Sequence, residues 1–189
     1  LKRGVATYSG TFKKPSPMDK GSQEQNFFND LKSEVILRNN ENLERIISCL
    51  NLLNETQIWY RTNSQVNSVA NLVLHLGGNI TQYITTSLTD KVDQRKRALE
   101  FSTEKGHTKK ELEILISECI KNANNTIEKT SKNRIMDEQM VQGFSLSGMG
   151  NMIHACEHLS YHTGQIALMT KILTNTDLGF YSDVDLDIT

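Results

Sequence analysis

At 189 residues the chain is long enough for one domain with a proper core and too short for two of ordinary size. Its 37% hydrophobic and 23% charged residues, with a formal net charge of -1, give no electrostatic argument for nucleic acid or an anionic membrane surface as partner. No apolar run reaches the roughly 18 residues of a membrane span, so no membrane-spanning helix is expected.

The opening LKRGVATYSGTFKKPSP is basic, turn-rich and aperiodic, and residues 1–22 are expected to be a flexible arm or, in part, sequence upstream of a start at Met18. Both prolines, Pro15 and Pro17, fall in this arm, so no proline breaker follows and long helices are favoured. From Gln25 to Leu53, the residues Phe27, Phe28, Leu31, Val35, Leu43, Ile46, Ile47 and Leu50 recur mostly at three- and four-residue steps, which predicts an amphipathic helix. A polar connection anchored by Trp59 follows. Asn67 or Ser68 then offers an N-cap for a second helix through SVANLVLHLGGNITQYITTSL.

The mixed-charge segment TDKVDQRKRALEFSTEKGH reads as a long loop with at most a short helix, anchored by Phe101. Thr108 and Glu111 fit a capping box ahead of Leu112, Leu115, Ile116, Cys119, Ile120, Ala123 and Ile127, which sets a third helix. NRIMDEQMVQGFSLSG is long enough to cross the molecule with some extended backbone, and a fourth helix is expected from near Ser147 to about Leu173. The sequence thus predicts an all-α four-helix bundle over residues 23–175, with an acidic tail at 176–189 that is disordered or lies against it. The three cysteines, Cys49, Cys119 and Cys156, form no CxxC pair and read as reduced residues of a cytoplasmic protein.

Chemistry concentrates on the fourth helix. At about 100° per residue, His154, His158 and His162 advance by about 40° per step and share one face. That spacing lets two imidazoles converge on one ion at about 2.0 to 2.1 Å from each nitrogen. The second helix carries a matching stripe, Asn71, His75, Asn79 and Gln82, bordered by Leu72, Val73, Leu76, Ile80 and Ile84. A polar stripe so bordered reads as a pocket inside the bundle, where His75 could meet the histidines of the fourth helix. Gly77 and Gly78 would let a neighbouring group come close. The HExxH arrangement of zinc proteases is absent, and Glu157 points about 100° away from His158.

HLSYHTGQI resembles the last-helix motif of the DinB-like superfamily, and NSVANLVLHLGGNITQYI resembles its second-helix motif. A histidine followed by GN, and then RKRALEF from Arg95 to Phe101, is most similar to a bacterial branch of unassigned function. The resemblance implies an up-down-down-up four-helix bundle with long connections, and a divalent metal held by His75, His158 and His162. It also implies kinship with thiol-dependent transferases that use bacillithiol or mycothiol and with a mycothiol-dependent maleylpyruvate isomerase. A homodimer is a further expectation from it.

Three neutral imidazoles leave an open position on an ion, which is the catalytic arrangement for zinc. All-nitrogen ligation suits zinc or nickel first, with iron, manganese or copper also open. Asn71, Asn79 and Gln165 are candidate outer partners of the ligands, with capping of a backbone group the alternative for Gln165, and His154 is a pocket residue or a surface one. Arg95, Arg97 and Glu100 either bind an anionic low-molecular-weight thiol or pair with one another. The expected reactions are thiol transfer to an electrophilic small molecule, metal-dependent hydrolysis, or binding without turnover.

Overall fold

The computed structural model describes residues 20–188. Helix α1 (Lys20–Leu52) begins earlier than the apolar period alone indicates, so the last three residues of the expected arm are helical. The remainder of that arm, residues 1–19, lies outside the described residues. After the short α2 (Glu55–Trp59), capped by Asn54, Trp59 donates its indole N–H to the His107 carbonyl at 3.0 Å and so anchors the connection. His107 itself is half-buried.

Helix α3 (Val69–Ile80) starts on Ser68, whose hydroxyl accepts from the Asn71 backbone N–H. It runs into a π-helical turn, Thr81–Thr86, marked by the Ser87 N–H bonding to the Gln82 carbonyl five residues back. Helix α4 (Arg97–Ser102) interrupts the charged connection. Helix α5 (Lys109–Lys129) opens on the Thr108–Glu111 capping box, and α6 (Lys132–Met136) leads into the crossing segment. That segment forms an antiparallel hairpin, β1 (Glu138–Val141) with β2 (Phe144–Ser147), and α7 (Gly148–Thr174) closes the bundle. The hairpin turns on Gln142 and Gly143, both at positive φ, as a two-residue type I′ loop requires.

Side-chain neighbours fix the directions. Lys32 on α1 reaches the Glu128 carbonyl near the end of α5, whereas Ile47 lies beside Lys110 near its start, so these helices are antiparallel. Cys156 neighbours Arg38 and Thr170 neighbours Cys49, so α7 runs parallel to α1. His75 meets His158 while Ser87 meets Asn151, which makes α3 antiparallel to α7. Gly77 faces Leu115 and Thr81 faces Cys119, so α3 and α5 run together. The result is an up-down-down-up bundle around fully buried Ile46, Leu50, Leu76, Ile80, Ile116, Ile120 and Ile166. Beyond α7, Leu178 and Phe180 pack on the core and Arg45 donates to the Tyr181 hydroxyl, so the start of the acidic tail lies against α1. Among the described residues no helix is long and apolar enough to cross a membrane.

Candidate metal centre

The two polar stripes meet. His75 on α3 and His158 and His162 on α7 bring one ring nitrogen each within 4.8 Å of one another. His75 is buried at 4% exposure, and its Nε2 lies 2.8 Å from His158 Nε2. The ring centroids of His75 and His162 stand 5.0 Å apart, nearly perpendicular, and those of His158 and His162 stand 4.5 Å apart. The residues that the spacing singled out on separate helices therefore form one cluster.

Outer hydrogen bonds set the tautomers. His75 Nδ1 lies 2.8 Å from Glu100 Oε2 and 3.1 Å from Arg95 Nη2; an ionised carboxylate only accepts, so the shorter contact puts a proton on Nδ1, and the neutral ring then presents its lone pair at Nε2. Glu100 is fixed in turn by Arg95, whose Nε and Nη2 donate to its two oxygens at 2.7 and 2.8 Å. Arg95 Nη1 donates to Gln82 Oε1, and the Gln82 amide holds Asp93. On α7, His162 Nδ1 donates to Gln165 Oε1 at 2.7 Å, which again leaves Nε2 bare. The His75–His158 contact then requires His158 Nε2 to carry the proton it donates to His75.

Burial and the neighbouring rings of His162 and His75 push His158 down from 6.5 to about 3, and burial also lowers His162 against the raising effect of Gln165. Both rings are therefore neutral near pH 7, the form that ligates metal. Burial raises the Glu100 carboxyl, but Arg95 and His75 outweigh it and the group ends below its ordinary value.

The donor set fits a divalent cation: three imidazoles converge, those of His158 and His162 neutral near pH 7, and the His162 tautomer already directs a lone pair inward. Tetrahedral nitrogens at about 2.0 to 2.1 Å from zinc stand roughly 3.3 Å apart, so the His75–His158 pair would open by about half an ångström. All-nitrogen ligation does not choose among zinc, nickel, copper and iron.

The other expected site residues divide. Gln165 lies against a ring of the cluster. Asn71 does not: its amide donates to the Glu100 and Thr103 carbonyls at 2.9 and 2.7 Å, which docks α4 on α3 and so places Glu100. Asn79 is buried one turn beyond His75 and makes no side-chain hydrogen bond to another described residue. His154 is half-buried, 4.2 Å from the Tyr83 ring and stacked at 5.7 Å on His158. Of the two uses left open for Arg95 the structure has the ion pair, at 4% side-chain exposure, while exposed Arg97 lies 4.9 Å over the Phe101 ring.

Sequence reasoning missed Glu100 as a partner of His75. The available signal was chemical: a buried ligating imidazole needs an acceptor for its second nitrogen, and a carboxylate in the following connection is one source. It also missed Tyr83. A π-helical turn holds more residues than an α turn, and this one swings Tyr83 back toward the His75 side, where its ring meets His154 and its hydroxyl donates to Gln142 at the hairpin tip. Gly78 matches its expected use, since a Cβ there would stand 2.9 Å from Glu100 Cδ and 3.0 Å from Arg95 Nε.

Fold and cluster together define a DinB-like helical bundle with a three-histidine group able to hold a metal ion. The fold is that of the crystal structure of a DinB-like protein, YjoA, from Bacillus subtilis, with a TM-score of 0.61 over 78% of this chain and 96% of that one at 15% identity. The chain belongs to the family described as "Protein of unknown function (DUF1572)", whose model matches residues 23–182. No curated protein matches it.

Proposed function

We propose that this protein is a divalent-metal-dependent enzyme, its ion held by His75, His158 and His162, that transfers a low-molecular-weight thiol to an electrophilic small molecule. The observation that carries the metal reading is the convergence of three ring nitrogens within 4.8 Å, with His75 and His162 already held in the tautomer that frees Nε2. The cation, zinc or nickel first and iron, manganese or copper next, supplies Lewis acidity at an open position, enough to favour the deprotonated form of a thiol or water near neutral pH.

The chain's own groups do the rest. Glu100 Oε2 holds the His75 Nδ1 proton and keeps that ring from turning. His158 must move its proton from Nε2 to Nδ1 to present a lone pair. The half-buried His154 and the buried Tyr83 form an aromatic wall beside His158, and the uncommitted Asn79 amide can orient a polar substrate group. In the transfer, the thiol proton passes to solvent, sulfur bonds to the electrophilic carbon, and the leaving group departs with the electron pair of its bond and is protonated by water, so that thiol and electrophile give thioether and the protonated leaving group. The thiol rests on the superfamily resemblance, since Arg95, one expected holder of an anionic thiol, is already engaged by Glu100.

A cytoplasmic homodimer with a bundle domain at residues 23–175 completes the reading. Exposed Ile153, Tyr161, Leu168 and Ile172 on α7 support a second copy as partner. The test is turnover of a panel of electrophiles by metal-loaded protein, with and without bacillithiol, mycothiol or cysteine. Thiol-dependent turnover that disappears in His158→Ala is expected. Turnover without thiol would make the protein a hydrolase, and metal binding without any turnover would make it a binding bundle.

A further inference from the structure

The seam between α3 and α7 that carries the histidine cluster continues past it. Gln165 lies seven residues beyond His158, which on a regular helix is within about 20° of the same direction and about 10 Å further along the axis. There the seam holds a cavity of about 270 Å³, which none of the three histidines lines. Leu72 of α3 and Met169 of α7, 2% and 8% exposed, form its floor, and Val66 and Leu168 form its sides. An apolar cavity of about 150 Å³ holds a benzene molecule, so there is room here for a ring with a substituent.

Amides edge this cavity, and no charged side chain lines it: Gln65 and Asn67 come from the connection before α3, and Gln165 from α7. Gln165 has half of its amide in use, since Oε1 accepts from His162 Nδ1 while Nε2 bonds to no other described residue. The half-buried Asn67 makes no side-chain hydrogen bond among the described residues. Residues 68–71, whose N–H groups at the start of α3 would attract an anion, take no part in the lining and are closed by the Ser68–Asn71 capping box. A charged group entering the cavity would be desolvated with no opposite charge to meet it, whereas a carbonyl oxygen would find the free Gln165 N–H.

We infer that this cavity binds a neutral carbonyl compound with an apolar body the size of a phenyl ring, its oxygen on Gln165 Nε2 and its body over Leu72 and Met169. The uncharged lining selects a neutral molecule over either ion, and the floor selects a ring over a bare amide. That this compound is the electrophile brought to the cluster rests on the proposed function. Its binding does not, because no part of the cavity is a metal ligand, and so the two readings fail separately.

The test is titration of the metal-free full chain with benzamide, its charged counterparts benzoate and benzylammonium, and acetamide, followed by the methyl resonances of Leu72 and Met169. Benzamide is expected to bind and to shift both residues, with the other three each at least about tenfold weaker, the difference that about 1.4 kcal/mol confers. Gln165→Leu removes the donor and keeps the bulk, and is expected to weaken benzamide about tenfold, the usual cost of one hydrogen bond. Asn67→Asp puts a carboxylate of the same shape on the rim, just before α3, where negative charge is tolerated. It is expected to bring benzylammonium above benzamide while leaving the unfolding midpoint unchanged. His158→Ala is expected to bind benzamide as the wild type does, so a failure of metal uptake leaves this site standing. Absence of a saturable shift at millimolar benzamide, equal binding of benzoate or benzylammonium by the wild type, or an unaffected Gln165→Leu or Asn67→Asp would overturn the proposal. Loss of binding in His158→Ala would also overturn it, by moving the compound to the histidines.

Discussion

The α3 and α7 halves of the histidine cluster are built by different means. His75 is buried, and its orientation rests on a chain of groups from elsewhere: Glu100, then Arg95, then Gln82 and Asp93, with Asn71 docking α4 so that Glu100 arrives in place. His158 and His162 are half-buried and owe their placement to one turn of regular helix, supported by the hydrogen bond that His162 donates to Gln165 three residues on and by the rings of His154 and Tyr161 on the same helix. A ligand held by a tertiary network is rigid but vulnerable at many positions. A ligand pair held by helical periodicity is robust, and little outside α7 disturbs it. Changes on the α3 side should therefore weaken metal binding more than equivalent changes on the α7 side.

The sharpest contrast is between Glu100→Ala and Gln165→Ala. Removing Glu100 strips the proton acceptor from His75 and leaves the Arg95 guanidinium buried without its carboxylate. Outer-partner substitutions typically cost about 10- to 100-fold in metal affinity, and Glu100→Ala is expected at the upper end, read by competition with a chromophoric chelator. Gly78→Ala comes next. The added methyl meets Glu100 and Arg95, both pinned by several bonds, so a shift of the pair is forced. Overpacking of this kind costs about 1 to 3 kcal/mol, visible in chemical unfolding, and should be accompanied by weaker metal binding. An unchanged Gly78→Ala protein would show that the pair moves freely.

Gln165→Ala should reduce affinity only near the lower, about tenfold, end of that range, because the helix still presents His162. If it equals Glu100→Ala, the asymmetry between the halves is wrong. A separate effect is on pH dependence in the metal-free protein. His158 is depressed from 6.5 to about 3 in the fold, so the unfolded chain binds its proton first as pH falls. The stability held by the neutral ring is complete above about pH 6.5 and is lost between there and pH 3. Glu100, also lowered, adds loss in the same direction below 4.5. Unfolding curves from pH 7.5 to 4 should show a shallower decline in His158→Ala than in the wild type.

The same asymmetry governs what could be read from the sequence. Helical periodicity delivers the four long helices, the Thr108–Glu111 box and the alignment of His158 with His162, because all of these depend on residues within two turns. The stripe of α3 was legible for the same reason. Glu100 was not, since its contact with His75 spans 25 residues and depends on the course of the connection between them. Asn71 was legible as a polar residue on the right face, yet its amide serves α4 instead of an imidazole. The π-helical turn has no composition that distinguishes TQYITT from continued α-helix, so the reorientation of Tyr83 could not be foreseen. The hairpin was hidden for another reason: Gln142 stands where Asn or Asp would announce a type I′ turn.

The central claim is that residues from both halves hold one ion. It is tested most directly by the metal content of untagged protein, measured by elemental analysis on wild type, His75→Ala and His158→Ala after equilibration with zinc or nickel and desalting. The account predicts about one equivalent in the wild type and loss in both variants, since each removes one of three ligands. Retention of metal in either variant, or a wild type that takes up none, would contradict it.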